Sequence, residues 1–335
     1  MEKTERQRTE ILQVLSRFSA PVSSGKVAQS LEAAGCHLSE RAVRLYLHQM
    51  GIDGLVHGEG RRGHVITERG QAELKGARIT DRVGYLSAKI DEMAFRMTFD
   101  LATRTGSVVV NAMLVDPQQL AACAEEIVRS FAKGYAMGNR LALLWPRETL
   151  GQLTVPAGRV ALCTVCSITL NGVLLKHGIP TTSRFGGLLQ LRGGQPTRFV
   201  ELIHYDATTI DPLEVFVRGR MTAYRDAVRD GNGLIGASFR ELPADSREVV
   251  LHISDHLSAV GLGGLLEVGQ PGQAVFGLSV NAGRVGAAVV GGLNPVAVLT
   301  ERDQRVECRA LAGLLDFHRL IPADELPRAL KSRPR

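Results

Sequence analysis

The sequence predicts an α+β protein: an N-terminal winged helix-turn-helix followed by a larger α+β domain, with a duplicated half inside the larger part. Three observations lead there. The first 80 residues carry three apolar stripes at helical spacing and then a glycine-rich basic hairpin. Beyond them, strand-like and helix-like segments alternate. The chain has 335 residues, 44% of them hydrophobic, which is too long for one small module and apolar enough to offset the entropy of folding. With 1 Trp, 5 Tyr and 10 Phe, its core must be mostly aliphatic.

Ile11, Leu15 and Phe18 recur at helical spacing, so a first helix spans residues 6–18 and Pro21 ends it. Ser23 or Ser24 can cap a second helix carrying Val27, Ala28, Leu31 and Ala34, which stops at Gly35. Ser39 caps a third, with Val43, Leu47 and Met50 as its buried stripe, ended by Gly51. Arg41, Arg44 and His48 fall on a different stripe of that helix. Leu55–His57 and His64–Ile66 then flank the tip Gly58-Glu59-Gly60-Arg61-Arg62-Gly63 as a short hairpin, and Thr67 can cap a fourth helix through Leu74. In this architecture the third helix enters the major groove and the hairpin lies against phosphates. Arg41 and Arg44 could then reach base edges, and Arg61 and Arg62 the backbone or minor groove. Each arginine alone would pass for a solvated surface charge; together, in these two elements, they point to DNA. Glu40 and Glu59 beside them leave a protein partner as the alternative.

The charge distribution agrees. Of a net +6, residues 1–80 hold twelve Lys and Arg against nine Asp and Glu, and the other 255 residues hold 28 against 25. Per residue, the first quarter is the more basic part, as expected for a polyanion partner.

A bridge around Lys75–Arg82 leads to an apolar helical stretch over Val83–Phe99, a buried strand over Ser107–Leu114 and a helix over Leu120–Phe131 capped from Asp116-Pro117. Phe185-Gly186-Gly187-Leu188 and Gly291-Gly292-Leu293 each precede a polar turn and a strand, an echo that predicts the duplicated half with a cleft between copies. The expected domains are 1–78 (winged helix), 79–325 (effector binding and dimerisation) and 326–335 (tail).

Several function classes are disfavoured. No apolar h-region follows Met1, and the uncharged run Val285–Thr300 is too short and too broken to span a bilayer, so a cytoplasmic protein without a membrane partner is expected. Five cysteines do not form a disulfide framework. Cys163-Thr164-Val165-Cys166 is a lone C-x-x-C on what reads as a strand over Val160–Thr169, and His252 and His256 flank a strand-like Glu248–Ile253. Neither points to metal or cofactor chemistry, and none is expected. Asp206, Asp211 and Glu214 lack a recognisable base or nucleophile partner, so no catalytic residue is assigned and the chain is read as a non-enzyme. The rival reading is an enzyme acting on a small carboxylic acid with an appended winged helix.

The densest polar stretch runs from Cys166-Ser167-Ile168-Thr169-Leu170-Asn171-Gly172 to Ser183-Arg184-Phe185-Gly186-Gly187. Hydroxyls, an amide, a guanidinium and a Gly-Gly backbone could form a carboxylate receptor, with Arg184 as the clamp. A polar turn with a surface arginine accounts for the same residues equally well.

At these residues a family resemblance becomes specific. The chain resembles the NrpR family of transcriptional repressors through Arg96-Met97-Thr98-Phe99-Asp100, Cys166–Gly172, Gly178-Ile179-Pro180, Ser183–Leu188, Tyr205–Glu214 and Gly291–Pro295, with similarity over residues 5–320. The resemblance implies a homodimer on a palindromic operator of double-stranded DNA, control of nitrogen-metabolism genes, and release by a dicarboxylate effector, 2-oxoglutarate. It also places Cys166 and Asn171 in the effector-response region.

Overall fold

The computed structural model describes residues 3–80, 85–304 and 306–332, with the side chains of 3–6, 61 and 75–80 outside the description. The chain forms two compact units, Met1–Val83 and Gly84–Arg335.

The first unit is built from α1 (Lys3–Leu15), α2 (Ser24–Ala33), α3 (Glu40–Ile52), β1 (Val56–Gly58), β2 (His64–Ile66) and α4 (Glu68–Thr80). Local signals set these boundaries. Ser23 and Ser39 accept hydrogen bonds from the backbone N–H groups of Lys26 and Ala42, satisfying donors that the helix itself cannot. Gly35, at φ +83°, closes α2. Val43, Leu47 and Met50 are fully buried against Ile11, Leu15, Val27 and Leu31, each burial contributing about 1.5–3 kcal/mol. β1 and β2 pair antiparallel from Val56↔Ile66 to Gly58↔His64, and Val22 bridges to His64. Two details differ from expectation: Gly51 lies inside α3, and α4 runs on to Thr80 through the residues read as a bridge. Residues 81 and 82 of that bridge lie outside the described residues.

The second unit begins with α5 (Tyr85–Arg96), β3 (Ser107–Val115), α6 (Pro117–Ala132), β4 (Arg140–Leu144), the short pair β5 (Thr149–Leu150) and β6 (Leu153–Thr154), β7 (Val160–Val165), α7 (Ile168–Lys176), β8 (Thr182–Arg192) and β9 (Gln195–His204). It continues with α8 (Pro212–Arg218), α9 (Tyr224–Asp230), β10 (Gly233–Pro243), α10 (Arg247–Ala259), β11 (Leu265–Val268), β12 (Arg284–Val290), α11 (Asn294–Thr300), β13 (Glu307–Asp316), β14 (Ile321–Pro322) and α12 (Leu326–Lys331). Two five-stranded antiparallel sheets result, in the orders β13-β3-β7-β4-β14 and β11-β12-β10-β8-β9. β7 is buried at every position and β12 at all but its first, so these inner strands are covered on both faces, whereas the edge strand β9 has no buried position.

The run β3-α6-β4-β7-α7-β8 repeats as β10-α10-β11-β12-α11-β13, and each half gives its last strand to the other half's sheet. Equivalent hydrogen bonds mark the symmetry. The N–H of Cys166 reaches Val109 O at 2.9 Å, and that of Gly291 reaches Gly236 O at 2.8 Å. The Thr169 hydroxyl donates to Val109 O, as the Asn294 amide does to Gly236 O.

The duplicated half is therefore real in topology, but its equivalences differ from the sequence echo. Gly291-Gly292 is the turn between β12 and α11, whose counterpart is Cys166-Ser167 between β7 and α7. Gly186-Gly187 lies inside β8, paired with Ser238 and Ala237. A Cβ on Gly292 would sit 2.2 Å from Val165 O and 3.2 Å from Cys166 Cα, so the two turns meet where only glycine fits. Two strand readings are also corrected. Thr169 belongs to α7, and Glu248–Ile253 to α10, where Val250, Ile253 and Leu257 recur at helical spacing and are buried.

Candidate nucleic-acid interface and effector site

On α3, Arg41, Arg44 and His48 are exposed on one face, opposite the buried stripe. Arg44 is tied to Glu40 at 2.6 Å and to the Ser24 hydroxyl at 3.3 Å. The Arg44 and Ser24 hydrogen bonds hold the Glu40 carboxyl below its usual range. Arg62 is exposed at the wing tip, within the helical turn Gly60–Arg62; the side chain of Arg61 lies outside the described residues. Gly63 closes that tip at φ +114°, where a Cβ would lie 2.3 Å from Val22 O. Leu45, 67% exposed and one turn from Arg41, is a side chain the sequence reading left unnamed. An exposed leucine beside two arginines and a histidine can meet a thymine methyl in a groove.

In the second unit, the effector residues named from sequence gather around the start of α7 and the start of β8. The Asn171 amide donates to the Ser183 hydroxyl at 3.1 Å. Cys166 and Ser167 form the buried turn ahead of α7. Gly186 and Gly187 are strand residues rather than a flexible turn: a Cβ on Gly186 would meet Pro212 at 2.6 Å and the Tyr205 hydroxyl at 3.1 Å. Thr181, Thr182, Ser183 and Arg184 line a cavity of about 240 Å³ together with Asp91 and His204.

Arg184, chosen as the clamp, already has a carboxylate. Its Nη1 sits 2.7 Å from Glu241 Oε1, and its guanidinium lies 5.1 Å from the Phe185 ring centre. The neighbouring strand residue Arg240 has the opposite character. It is 1% exposed, and none of its side-chain nitrogens has a hydrogen-bond partner. Burial pushes its guanidinium down to about 10, so it stays protonated at neutral pH. The sequence offered one signal for it, an arginine inside an apolar strand, which alternation alone could not assign to an open or a closed face.

The other candidates resolve into structural roles. Burial pushes the Cys163 and Cys166 thiols up to about 12, leaving them protonated and unreactive at neutral pH. Cys166 follows the end of β7, so the separation of the two cysteines does not rest on a strand through Thr169. Asp211 caps α8 through the N–H groups of Leu213 and Glu214, and Glu214 accepts from Arg218 and from the Ala310 N–H. His252 and His256 meet edge to face on the exposed side of α10 with ring centres 4.2 Å apart. Among the described residues no group of three or more His, Cys, Asp or Glu is placed to hold a metal ion. No helix among them is long and apolar enough to cross a membrane.

Comparison with known proteins adds independent findings. The family model described as NrpR regulatory domains NRD1 and 2 matches residues 83–321, and that of the ribonuclease R winged-helix domain matches residues 9–74. The global nitrogen regulator NrpRI of Methanosarcina mazei is 33% identical over 313 residues, covering 93% of this chain and 96% of that protein. The global nitrogen regulator NrpR of Methanococcus maripaludis is 31% identical over 92% of this chain but 54% of its own length. The corresponding regulator of Methanocaldococcus jannaschii is 29% identical over 99% of this chain and 58% of its own length, so this chain spans little more than half of these two relatives. A crystal structure of a nitrogen repressor-like protein from Methanococcus jannaschii superposes with a TM-score of 0.59 at 24% identity, covering 70% of this chain and 97% of that one, and shows a shared fold.

Proposed function

The chain belongs to the NrpR family, a winged helix followed by an NrpR regulatory domain, and on that premise we propose that it is a DNA-binding transcriptional repressor of nitrogen-metabolism genes, released by a small dicarboxylate such as 2-oxoglutarate. The observation that carries the reading is the exposed face of α3. Arg41, Arg44 and His48 stand clear of the core on the element that a winged helix offers to the major groove, with Arg62 on the wing beside it. A dimer would place two such helices on half-sites about 34–36 Å apart, and its operator would be palindromic. The relatives named as global nitrogen regulators support the assignment of the genes.

Release requires that the effector bind two states of the protein with different affinity. A 100-fold loss of DNA affinity corresponds to a coupling free energy of about 2.7 kcal/mol, within the usual allosteric range. Against the enzyme alternative, two of its three carboxylates, Asp211 and Glu214, are engaged in capping and ion pairing.

The test is an electrophoretic shift and anisotropy titration of the full chain on DNA upstream of its own gene. A saturable, salt-dependent complex weakened by millimolar 2-oxoglutarate is expected. Binding that ignores sequence, salt and effector alike would end the reading.

A further inference from the structure

The sharpest unresolved feature of the second unit is Arg240. Its side chain holds five N–H donors, and none is used. A buried cation without a counter-charge is strongly disfavoured unless something supplies the missing acceptor. The nearest carboxylate along the strand, Glu241, is engaged by Arg184, by the Asn281 N–H at 3.0 Å and by the Asn281 amide at 2.9 Å.

The surroundings of Arg240 share a direction. Its charge acts on Cys166 at the start of α7 and on the buried Tyr205 hydroxyl. The nine-residue α7 begins beside these groups: Ser167 makes no side-chain cap, and the Ile168 N–H is directed to the Cys166 sulfur, so the positive end of the helix dipole lies at Cys166. Across the sheet, Arg240 pairs in register with Ser183, which places both side chains on one face. Asn171 Oδ1, on the residue that holds Ser183, and Thr181 Oγ1 are likewise buried without partners. Ser183 and Thr181 also line the cavity of about 240 Å³, together with Arg184, His204, Asp91 and Asp206.

We propose that Arg240 is the charged anchor of a buried anion site formed by β10, the Ser183 segment of β8, Tyr205 and the first turn of α7, and that it receives a single carboxylate of a small organic acid. The planar guanidinium matches a carboxylate through two parallel hydrogen bonds, which favours this group over a point-like anion. The cavity lining carries both signs, Arg184 and His204 beside Asp91 and Asp206, so the carboxylate at Arg240 carries the recognition and a second carboxylate is neither required nor excluded. The inference deepens the effector reading above and rests on it for the identity of the ligand, but not for the existence of the site.

The experiment is thermal unfolding and calorimetric titration of the full chain at constant ionic strength with 2-oxoglutarate, formate and inorganic phosphate. Both carboxylates should raise the unfolding temperature of the wild type. Arg240→Met, an apolar chain reaching the same space, should unfold at the wild-type temperature or above without ligand and bind the carboxylates at least tenfold more weakly. Should Arg240→Met fail to fold, Arg240→Lys keeps the charge and loses the fork, and the same tenfold loss is expected. Wild-type carboxylate affinity in either folded variant, no stabilisation by any anion, or stabilisation by phosphate alone would each overturn the proposal. Arg240-dependent binding of formate without any response to 2-oxoglutarate would uphold the site and defeat the 2-oxoglutarate effector.

Discussion

Arg44 and Arg62 differ in what surrounds them, and the difference sets what each substitution should do. Arg44 is shared with Glu40 and Ser24 in the free protein, so DNA must take it from a carboxylate. Glu40→Gln removes that competitor and should tighten DNA binding, checked by anisotropy at fixed salt; unchanged affinity would mean Arg44 does not contact DNA. Arg62→Ala should weaken binding to all sequences alike and reduce the slope of log K against log salt by about 0.9, the signature of one lost phosphate contact. Asp211 gives a residue-scale pH prediction. Desolvation raises its carboxyl from 3.8 to about 6, so the folded state holds the proton more tightly than the unfolded chain. Its stabilising contribution is complete below about pH 4 and is lost as pH rises through about 6. Asp211→Asn keeps an acceptor for the Leu213 and Glu214 N–H groups but cannot ionise. It should unfold at a higher temperature than wild type at pH 7.5, with the gap closing toward pH 4; a gap independent of pH would refute the assignment.

At the scale of elements, the first unit was legible because its signals are local. Ser23, Gly35 and Ser39 mark boundaries within a few residues, and Val43, Leu47 and Met50 recur on one face. The wing depends on Gly63 in the same local way. Gly63→Ala places a methyl against the Val22 carbonyl at a φ that L-residues avoid, and should cost on the order of 1–3 kcal/mol. Thermal unfolding of the full chain would register this as a lowered first transition, and an unaltered scan would contradict it. The second unit was legible only in part. β3 and α6 follow from an apolar run and from an Asp-Pro cap. α10 was mistaken for a strand because Val249, Val250 and Ile253 favour β structure, while the heptad-like burial of Val250, Ile253 and Leu257 decided the outcome. β8 and β13 each pair in the sheet of the opposite half, and nothing local in a strand records its distant partner.

For the whole molecule, that strand exchange is the feature most relevant to regulation. The two halves share one continuous core and meet at the turns Cys166-Ser167 and Gly291-Gly292, so a ligand bound at the proposed site beside α7 would bear on both sheets. The residues named for the effector from the sequence lie around the starts of α7 and β8, and the anion site proposed above adds Arg240 to Arg184 there. That Arg184 pairs with a carboxylate and Arg240 does not was not legible in the sequence, because Glu241 is 57 residues away from Arg184 in the chain.

In the proposed function, a carboxylate bound in the second unit controls DNA binding by the first. The most direct test is anisotropy of the full chain on its upstream DNA, titrated with 2-oxoglutarate at fixed salt, for wild type and Arg240→Met. The wild-type complex should weaken about 100-fold at saturating effector, and Arg240→Met should bind the same DNA but no longer respond. A wild-type complex indifferent to 2-oxoglutarate, or a folded Arg240→Met variant released as readily as wild type, would contradict it.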